Sequence, residues 1–373
     1  MKPETINLQR ADDPRDVVHR AVQELAEGRL VAFPTETVYG VAASALDESA
    51  VQRLMSVKRR PETKPLTLVV KSAEEALDYV PEMSRLGRRL ARRCWPGPVT
   101  LVFNNSVERG LVRELPAAVA KLVAPDGSVG LRVPAHSTVL EVMKMLPGPI
   151  VLTSANRSGE PPAVTAEGVV NAVGEGVSMV LDGGRCRYGQ PSTVVRVSGS
   201  QWELVREGVV PLQTIQRLSN CIVLFVCTGN TCRSPLAEGL CKKMLSDRMG
   251  CTVNELSDQG FTVNSAGIAA VIGSGPSPEA IEVARHFGVR LEEHLSQPLT
   301  RPLVYQSDYI FSMTDSHRQA ILARYPEAAG KTQLLCRRGG DISDPLGSDV
   351  VTYRQCAAQI ESNLKHIVPE LQA

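Results

Sequence analysis

Apolar and polar positions alternate in short blocks along the 373-residue chain, and the blocks fall into two series. In the first series, residues 14–27 carry apolar side chains at helical spacing and stop at Gly28, which predicts an amphipathic helix. Residues 49–57 and 84–94 predict further helices, and the apolar runs 30–33, 66–70, 101–103, 128–134, 150–152 and 192–197 predict strands. Two polar turns follow buried strands: Pro34-Thr35-Glu36-Thr37-Val38-Tyr39-Gly40 and Thr153-Ser154-Ala155-Asn156-Arg157-Ser158-Gly159. Open sheets bind ligands at such strand ends. A short polar connection, 211–220, separates the two series. The second begins with 221–226, a continuous apolar run that reads as a strand buried on both faces, as in parallel sheets. A helix opens soon after it, with Ser234 expected as its N-cap and Pro235 at its first position.

Between that strand and that helix stands Cys227, followed after five residues by Arg233 and Ser234. A loop at a helix N-terminus aims backbone N–H groups and the positive end of the dipole at one point, which suits a phosphate dianion. Gly229 and Asn230 tolerate the left-handed backbone that such a cradle needs. The same field favours the thiolate of Cys227, a nucleophile. Arg233 offers a planar fork to two phosphoryl oxygens, and Ser234 a hydrogen bond to the sulfur. A lone cysteine at a strand end would be a buried core thiol. Here strand, glycine, Arg-Ser-Pro and helix stand in register, which points to a phosphate-handling cysteine.

The charged stretches are less decisive. Lys58-Arg59-Arg60-Pro61-Glu62-Thr63-Lys64 is either a solvated cluster or, stiffened by proline beside a strand, a polyphosphate site. Arg85, Arg88, Arg89, Arg92 and Arg93 read as a solvated helix face. Arg132 lies in an apolar strand and needs an anionic partner, either an acidic side chain or a ligand carboxylate or phosphate. A net charge of +1 gives no strong nucleic-acid footprint. With 43% hydrophobic and 22% charged residues, the chain has the make-up of a globular protein of two domains. No apolar run is long enough to span a bilayer. Nine irregularly spaced cysteines, without a paired C-x-x-C zinc pattern, fit reduced thiols, so a cytoplasmic location and no bound metal are expected.

The strings TETVYG, KRRPETKPL, WPGPVTLV, VGLRVP, TSANRSGEPP, LDGG…GQPSTVVRV and ELVREG resemble, in that order, those of the YrdC-like threonylcarbamoyl-AMP synthases. The resemblance covers about residues 8–212. It implies an α/β domain with a twisted mixed sheet and helices around a large central cavity. The family condenses L-threonine, bicarbonate and ATP into threonylcarbamoyl-adenylate, which a tRNA-modifying transferase complex then consumes. Carried over, Lys58, Arg60, Lys64, Ser128, Ser154, Asn156 and Arg206 would contact ATP. Thr35, Thr37, Arg132 and Ser192 would contact threonine, with Arg132 on its carboxylate. Mg²⁺ is expected with ATP. The chain departs from the family pattern at Thr153, where a proline is frequent, at Arg196, where an acid is frequent, and at Val69, where some members have histidine.

Residues 221–373 resemble the low-molecular-weight protein phosphatases, which implies a doubly wound parallel sheet. CTGNTCRSPLAEG is similar to the nucleophile loop of that family, with Cys227 as nucleophile and Arg233 as phosphate ligand. Thr228, Gly229, Asn230, Thr231, Cys232 and Ser234 form the rest of the loop. Asp344, in Ile342-Ser343-Asp344-Pro345, matches the general acid, and no cofactor is expected. Thr231 stands where tyrosine phosphatases carry a bulky aliphatic residue, and Leu346 stands where they carry an aromatic. The loop with threonine resembles the protein-arginine phosphatases, so a phosphorylated protein is the expected partner. The arsenate reductases of the same fold need a cysteine pair that the stretch between Cys251 and Cys336 lacks. Cys232 reads equally as a resolving thiol under oxidation and as a small buried loop residue. The whole is then a bifunctional enzyme. The alternative is a tyrosine phosphatase targeted by a non-catalytic nucleotide- or RNA-binding module.

Overall fold

The computed structural model describes residues 2–104, 109–337 and 339–372. The chain divides into two compact units, Met1–Leu218 and Ser219–Ala373. Among the described residues no helix is long and apolar enough to cross a membrane.

In the first unit the strands are β1 (Glu4–Asn7), β2 (Val31–Phe33), β3 (Gly40–Ser44), β4 (Thr67–Val69), β5 (Val99–Phe103), β6 (Val129–Arg132), β7 (Ile150–Ser154), β8 (Met179–Asp182), β9 (Thr193–Ser198) and β10 (Gln201–Arg206). They form one sheet in the order 1-8-2-3-7-4-6-5-9-10. The sheet is mixed: β4 and β6 run parallel, whereas β3 and β7, β4 and β7, and β5 and β6 are antiparallel. β2 and most of β7 are buried, which is why they read as unbroken apolar runs and not as alternations, whereas β3, also mostly buried, was not among the predicted strands. The helix Glu48–Lys58 starts at Asp47, whose carboxylate accepts from Ala50 N, and ends at Arg59 in the left-handed region (φ 49°). That turn releases Arg60 to Pro65 as an irregular segment leading into β4.

The arginine-rich helix Arg85–Cys94 departs from a solvated face. Arg89 is buried, Arg88 Nε donates to Met83 O (3.0 Å), and Arg93 Nη1 donates to Leu218 O (2.7 Å). At 100° per residue Arg89 and Arg93 fall beside the apolar stripe of Leu86 and Leu90, so their aliphatic stems cover it.

The second unit is built on β11 (Cys221–Cys227), β12 (Phe261–Gly267), β13 (Tyr309–Ser312) and β14 (Thr332–Leu334). All pairs are parallel, in the order 12-11-13-14. The chain steps from β11 to β12 on one side and returns to β13 on the other, so the C-terminal end of β11 lies at the point where the winding reverses. Phe225 and Phe311 stack across β11 and β13 with ring centroids 5.7 Å apart, a contact worth about 0.5–1.5 kcal/mol beyond the buried area. The helix after β11 begins earlier than its sequence signals indicate. It spans Arg233–Met249 with Cys232 at the N-cap and no side-chain cap bond, so Ser234 is the second helical residue and Pro235 the third. The Ser234 hydroxyl is engaged elsewhere, on the sulfur of Cys227.

Candidate active sites

The first unit holds a cavity of about 140 Å³ over the central strands of its sheet. Residues of six strands line it: Gly40, Thr67, Thr100, Arg132, Ser154 and Arg206 mark where β3, β4, β5, β6, β7 and β10 contribute. Thr35 from the hydroxyl-rich turn, Arg60 from the segment after Arg59, and Ser192 ahead of β9 complete the polar lining. Among the described lining residues three are guanidinium cations and none is a carboxylate. Burial lowers both Arg60 and Arg206 from the ordinary arginine value; Arg206 lowers Arg60 further, and Arg132 lowers Arg206. The three charges therefore share one field.

Each cation is braced. Arg206 Nη2 donates to Ser192 O (2.7 Å), and Arg60 Nη2 to Pro65 O (2.7 Å). Ser192 Oγ lies 3.0 Å from Thr100 Oγ1, a hydroxyl that sequence reasoning passed over. Arg132 donates through Nη2 to Glu36 Oε1 (2.8 Å) and Thr37 Oγ1 (3.0 Å), and through Nε to Gly97 O (3.3 Å). Its anionic partner within the chain is Glu36, whose other oxygen accepts from Ala135 N (3.1 Å). The signal for Glu36 was in view, as the acid in TETVYG.

The turn itself is held by Thr35, whose Oγ1 donates to Val38 O (2.6 Å) and lies 2.8 Å from Thr37 Oγ1. Tyr39 hydroxyl donates to Gly184 O (2.7 Å), which ties the turn to the loop after β8. Lys58 lies behind the cavity lining. It is 1% exposed, with Nζ donating to Ser154 O, Asn156 O (2.7 Å) and Asn156 Oδ1 (3.3 Å). Burial, and then Arg60, lowers it to about 8. It thus acts first as a strut for the Ser154–Asn156 loop. Ser128 is bound to Asp126 Oδ1 (2.5 Å) and Lys64 is exposed; like Thr37, Asn156 and Lys58, neither is among the described lining residues.

In the second unit the side chains converge on one sulfur. Cys227 ends β11 and is 3% exposed. Its Sγ accepts from Asn230 N (3.3 Å) and lies 2.9 Å from Ser234 Oγ. Asn230 alone in this loop is left-handed (φ 57°), whereas Gly229 does not take the left-handed angle expected of it. Asn230 Nδ2 donates to Ser234 Oγ (2.9 Å) and Ser265 Oγ (2.8 Å), its Oδ1 accepts from Gln297 N (2.9 Å), and its carbonyl lies 2.9 Å from His294 Nε2. Ser265 in turn donates to Glu238 Oε2 (2.6 Å). The loop also needs Gly267 at the end of β12, where an added Cβ would lie 2.4 Å from Thr228 O.

Arg233 is buried, donating through Nη1 to Ile342 O (3.3 Å) and through Nη2 to Asp344 Oδ2. The structure therefore joins the expected phosphate ligand to the expected general acid, from opposite ends of the unit's sequence. Cys232 is buried among Ser277 Oγ (3.4 Å) and Tyr353 hydroxyl (3.3 Å). Thr231 Oγ1 lies 3.6 Å from its sulfur. His294, Ser265 and Tyr353 were not in the sequence-derived site. Ser265 and His294 lie in the strings NSAGI and EEHLS, which resemble the phosphatase family, whereas nothing in its local sequence marks Tyr353.

Comparison with known proteins matches a family to each unit. The Sua5/YciO/YrdC family model, described as telomere recombination, matches residues 23–208, and that for low molecular weight phosphotyrosine protein phosphatase matches 222–373. Threonylcarbamoyl-AMP synthase of Pyrococcus abyssi is 37% identical over 196 residues, 52% of this chain; the chain spans 54% of that protein's length. The threonylcarbamoyl-AMP synthase of Chromohalobacter salexigens is 36% identical over 180 residues, 48% of this chain and 91% of that protein. A crystal structure of a YwlE mutant from Bacillus subtilis is 31% identical, covers 41% of this chain and all of its own, with a TM-score of 0.37. The chain belongs to the Sua5/YrdC family through its first unit and carries, as its second, a low-molecular-weight phosphatase domain.

Proposed function

We propose that the first unit joins L-threonine, bicarbonate and ATP into L-threonylcarbamoyladenylate, releasing pyrophosphate, and that a tRNA-modifying transferase complex consumes the product. The observation that carries this reading is the convergence of Arg60, Arg132 and Arg206 on a cavity with no lining carboxylate. Arg60 and Arg206 face the cavity without a carboxylate in its lining, and Arg132 is shared with Glu36, which suits a polyphosphate and a carboxylate together. Arg132 lines that cavity and makes its described hydrogen bonds through Nε and Nη2, which on this reading leaves Nη1 for a threonine carboxylate. Mg²⁺ enters as part of the nucleotide substrate. Among the described residues no cluster of three or more His, Cys, Asp or Glu side chains is arranged to hold a metal, so the ion would be carried on ATP oxygens.

The second unit, in this reading, hydrolyses phosphoarginine on proteins. Cys227 sulfur attacks phosphorus, the bond from phosphorus to the leaving nitrogen breaks, and Asp344 gives that nitrogen its proton. Asp344 then takes a proton from water as the water oxygen displaces sulfur, releasing phosphate and the thiolate. Thr231 supports arginine over tyrosine because its hydroxyl can bond a guanidinium, where an aliphatic side chain would only pack. Leu346, 69% exposed, supplies no aromatic wall for a phenol ring.

The test pairs two assays on the full chain, which works in the cytoplasm on this reading. Pyrophosphate release should require L-threonine and bicarbonate; release independent of both leaves the first unit a nucleotide-binding module. Phosphoarginine should be cleaved faster than phosphotyrosine, with Thr231→Ile reversing the order and Cys227→Ser as blank. Preference for phosphotyrosine in the parent chain makes the second unit a tyrosine phosphatase.

A further inference from the structure

His317 lies outside the machinery assigned above, yet it touches the phosphate loop. It is 4% exposed in the first turn of the helix Asp315–Arg324, and its backbone N–H is capped by Thr314 Oγ1 (3.2 Å). Its Nε2 lies 2.9 Å from the hydroxyl of Thr228, the residue next to Cys227. Its other ring nitrogen, Nδ1, is buried with no hydrogen-bond partner among the described residues. Thr228 is exposed at the mouth of the loop, and its carbonyl accepts from Ala269 N (3.0 Å). Its backbone is therefore fixed, and the one freedom left is the direction of its O–H.

The tautomer settles that direction. A buried N–H without an acceptor is a rarer and costlier defect than a buried lone pair without a donor. The proton therefore belongs on Nε2, which donates to Thr228 Oγ1 and leaves Nδ1 as the bare lone pair. With its oxygen accepting from His317, Thr228 keeps its own hydrogen for another acceptor, and Thr228 is the residue next to Cys227. We propose that His317 is a positioning residue of the phosphatase reaction, holding the Thr228 hydroxyl as an extra donor to the phosphoryl group or its leaving atom. The role rests on the phosphatase reading of the second unit.

The surroundings keep the imidazole neutral. Burial lowers its pKa first and Arg233 lowers it further, while Asp344 and Asp341 oppose them. Asp315, on the same helix, is paired with Arg318 (2.8 Å). Protonation would place an N–H with no acceptor at Nδ1 and a cation facing Arg233.

The experiment measures kcat/KM for para-nitrophenyl phosphate against pH in the full chain and in His317→Ala, His317→Gln, Thr228→Val and the Ala/Val double variant. A hydrogen bond of this kind is worth about tenfold in rate. His317→Ala and Thr228→Val should each lose about tenfold, and the double variant no more than either alone. His317→Gln, which keeps a donor near Nε2, should recover to within about threefold. Losses that multiply, or an unchanged His317→Ala, overturn the role. If His317→Ala unfolds, Thr228→Val and His317→Gln still decide it: the glutamine variant must match the parent and the valine variant must not. A parent chain no faster than Cys227→Ser overturns the phosphatase reading itself.

Discussion

Arg132 and Glu36 form an ion pair of 2.8 Å with side chains only 10% and 7% exposed. Two charges taken out of water are tolerated when each answers the other, and removing one leaves the other buried and unpaired. Glu36→Gln should cost the first unit about 3–5 kcal/mol. Calorimetry should see the first unit's transition fall while that of the second unit stays in place. Arg132→Met should destabilise less where Ala135 N still binds Glu36, but threonine-dependent pyrophosphate release should vanish. Equal losses of activity and stability in both variants would make the pair purely structural.

Asn230 combines a left-handed backbone with a side chain that makes three hydrogen bonds. The two contributions separate by mutation. Asn230→Gly keeps the backbone and loses the side chain, whereas Asn230→Ala also strains φ, by about 1–2 kcal/mol. Phosphatase activity should fall in both, and the alanine variant should be the less stable by that difference. Ser234→Ala removes the hydroxyl on Cys227 sulfur and the acceptor of Asn230 Nδ2 but spares the backbone, and should cost about tenfold in kcat with a stability loss of about 1–3 kcal/mol. Single-turnover release of phenol and of phosphate places the loss before or after phosphocysteine formation.

The two-unit organisation and the nucleophile loop were legible because they depend on local chemistry. A strand buried on both faces, a helix start and a fixed Cys-to-Arg spacing all lie within one short stretch. Register in the mixed sheet is set by partners far apart in sequence, such as Thr67 beside Leu152 and Gly130, and no local pattern records it. The same limit hid Glu36 as the partner of Arg132, a contact 96 residues long. Arg89 was misread as solvated because its place at the edge of the apolar stripe, not its charge, decides its burial. Ser234 was misread as a cap because its better partner is the sulfur.

Lys58 gives the first unit a pH signature. Its amine is lowered from the ordinary lysine range to about 8 by burial and Arg60. Between about pH 8 and the ordinary value the unfolded chain binds the proton and the folded chain does not. Stability should therefore rise with pH through that window, because folding no longer requires burying a charge. Thermal midpoints of the parent minus those of Lys58→Met should show this slope, and a flat difference removes Lys58 as its source. ATP binding near pH 8 should also take up protons, since an anion nearby favours the charged amine. Calorimetric titrations in buffers of different ionisation enthalpy measure that uptake, which should disappear at pH 6.5.

Asp344 is paired with Arg233 through an ion pair whose carboxylate is about half exposed while the guanidinium is buried. If its task is to protonate the leaving group, the cost of Asp344→Asn must grow with the basicity of that group. Cleavage of para-nitrophenyl phosphate, whose leaving group needs little help, should fall modestly. Cleavage of phosphoarginine should fall by about 10²–10⁴. The same substitution removes the charge that competes with phosphate for Arg233, so inorganic phosphate should inhibit the variant at lower concentration than the parent. Weaker inhibition would mean that Asp344 holds Arg233 in its binding position, and uniform losses across leaving groups would mean that it supplies no proton.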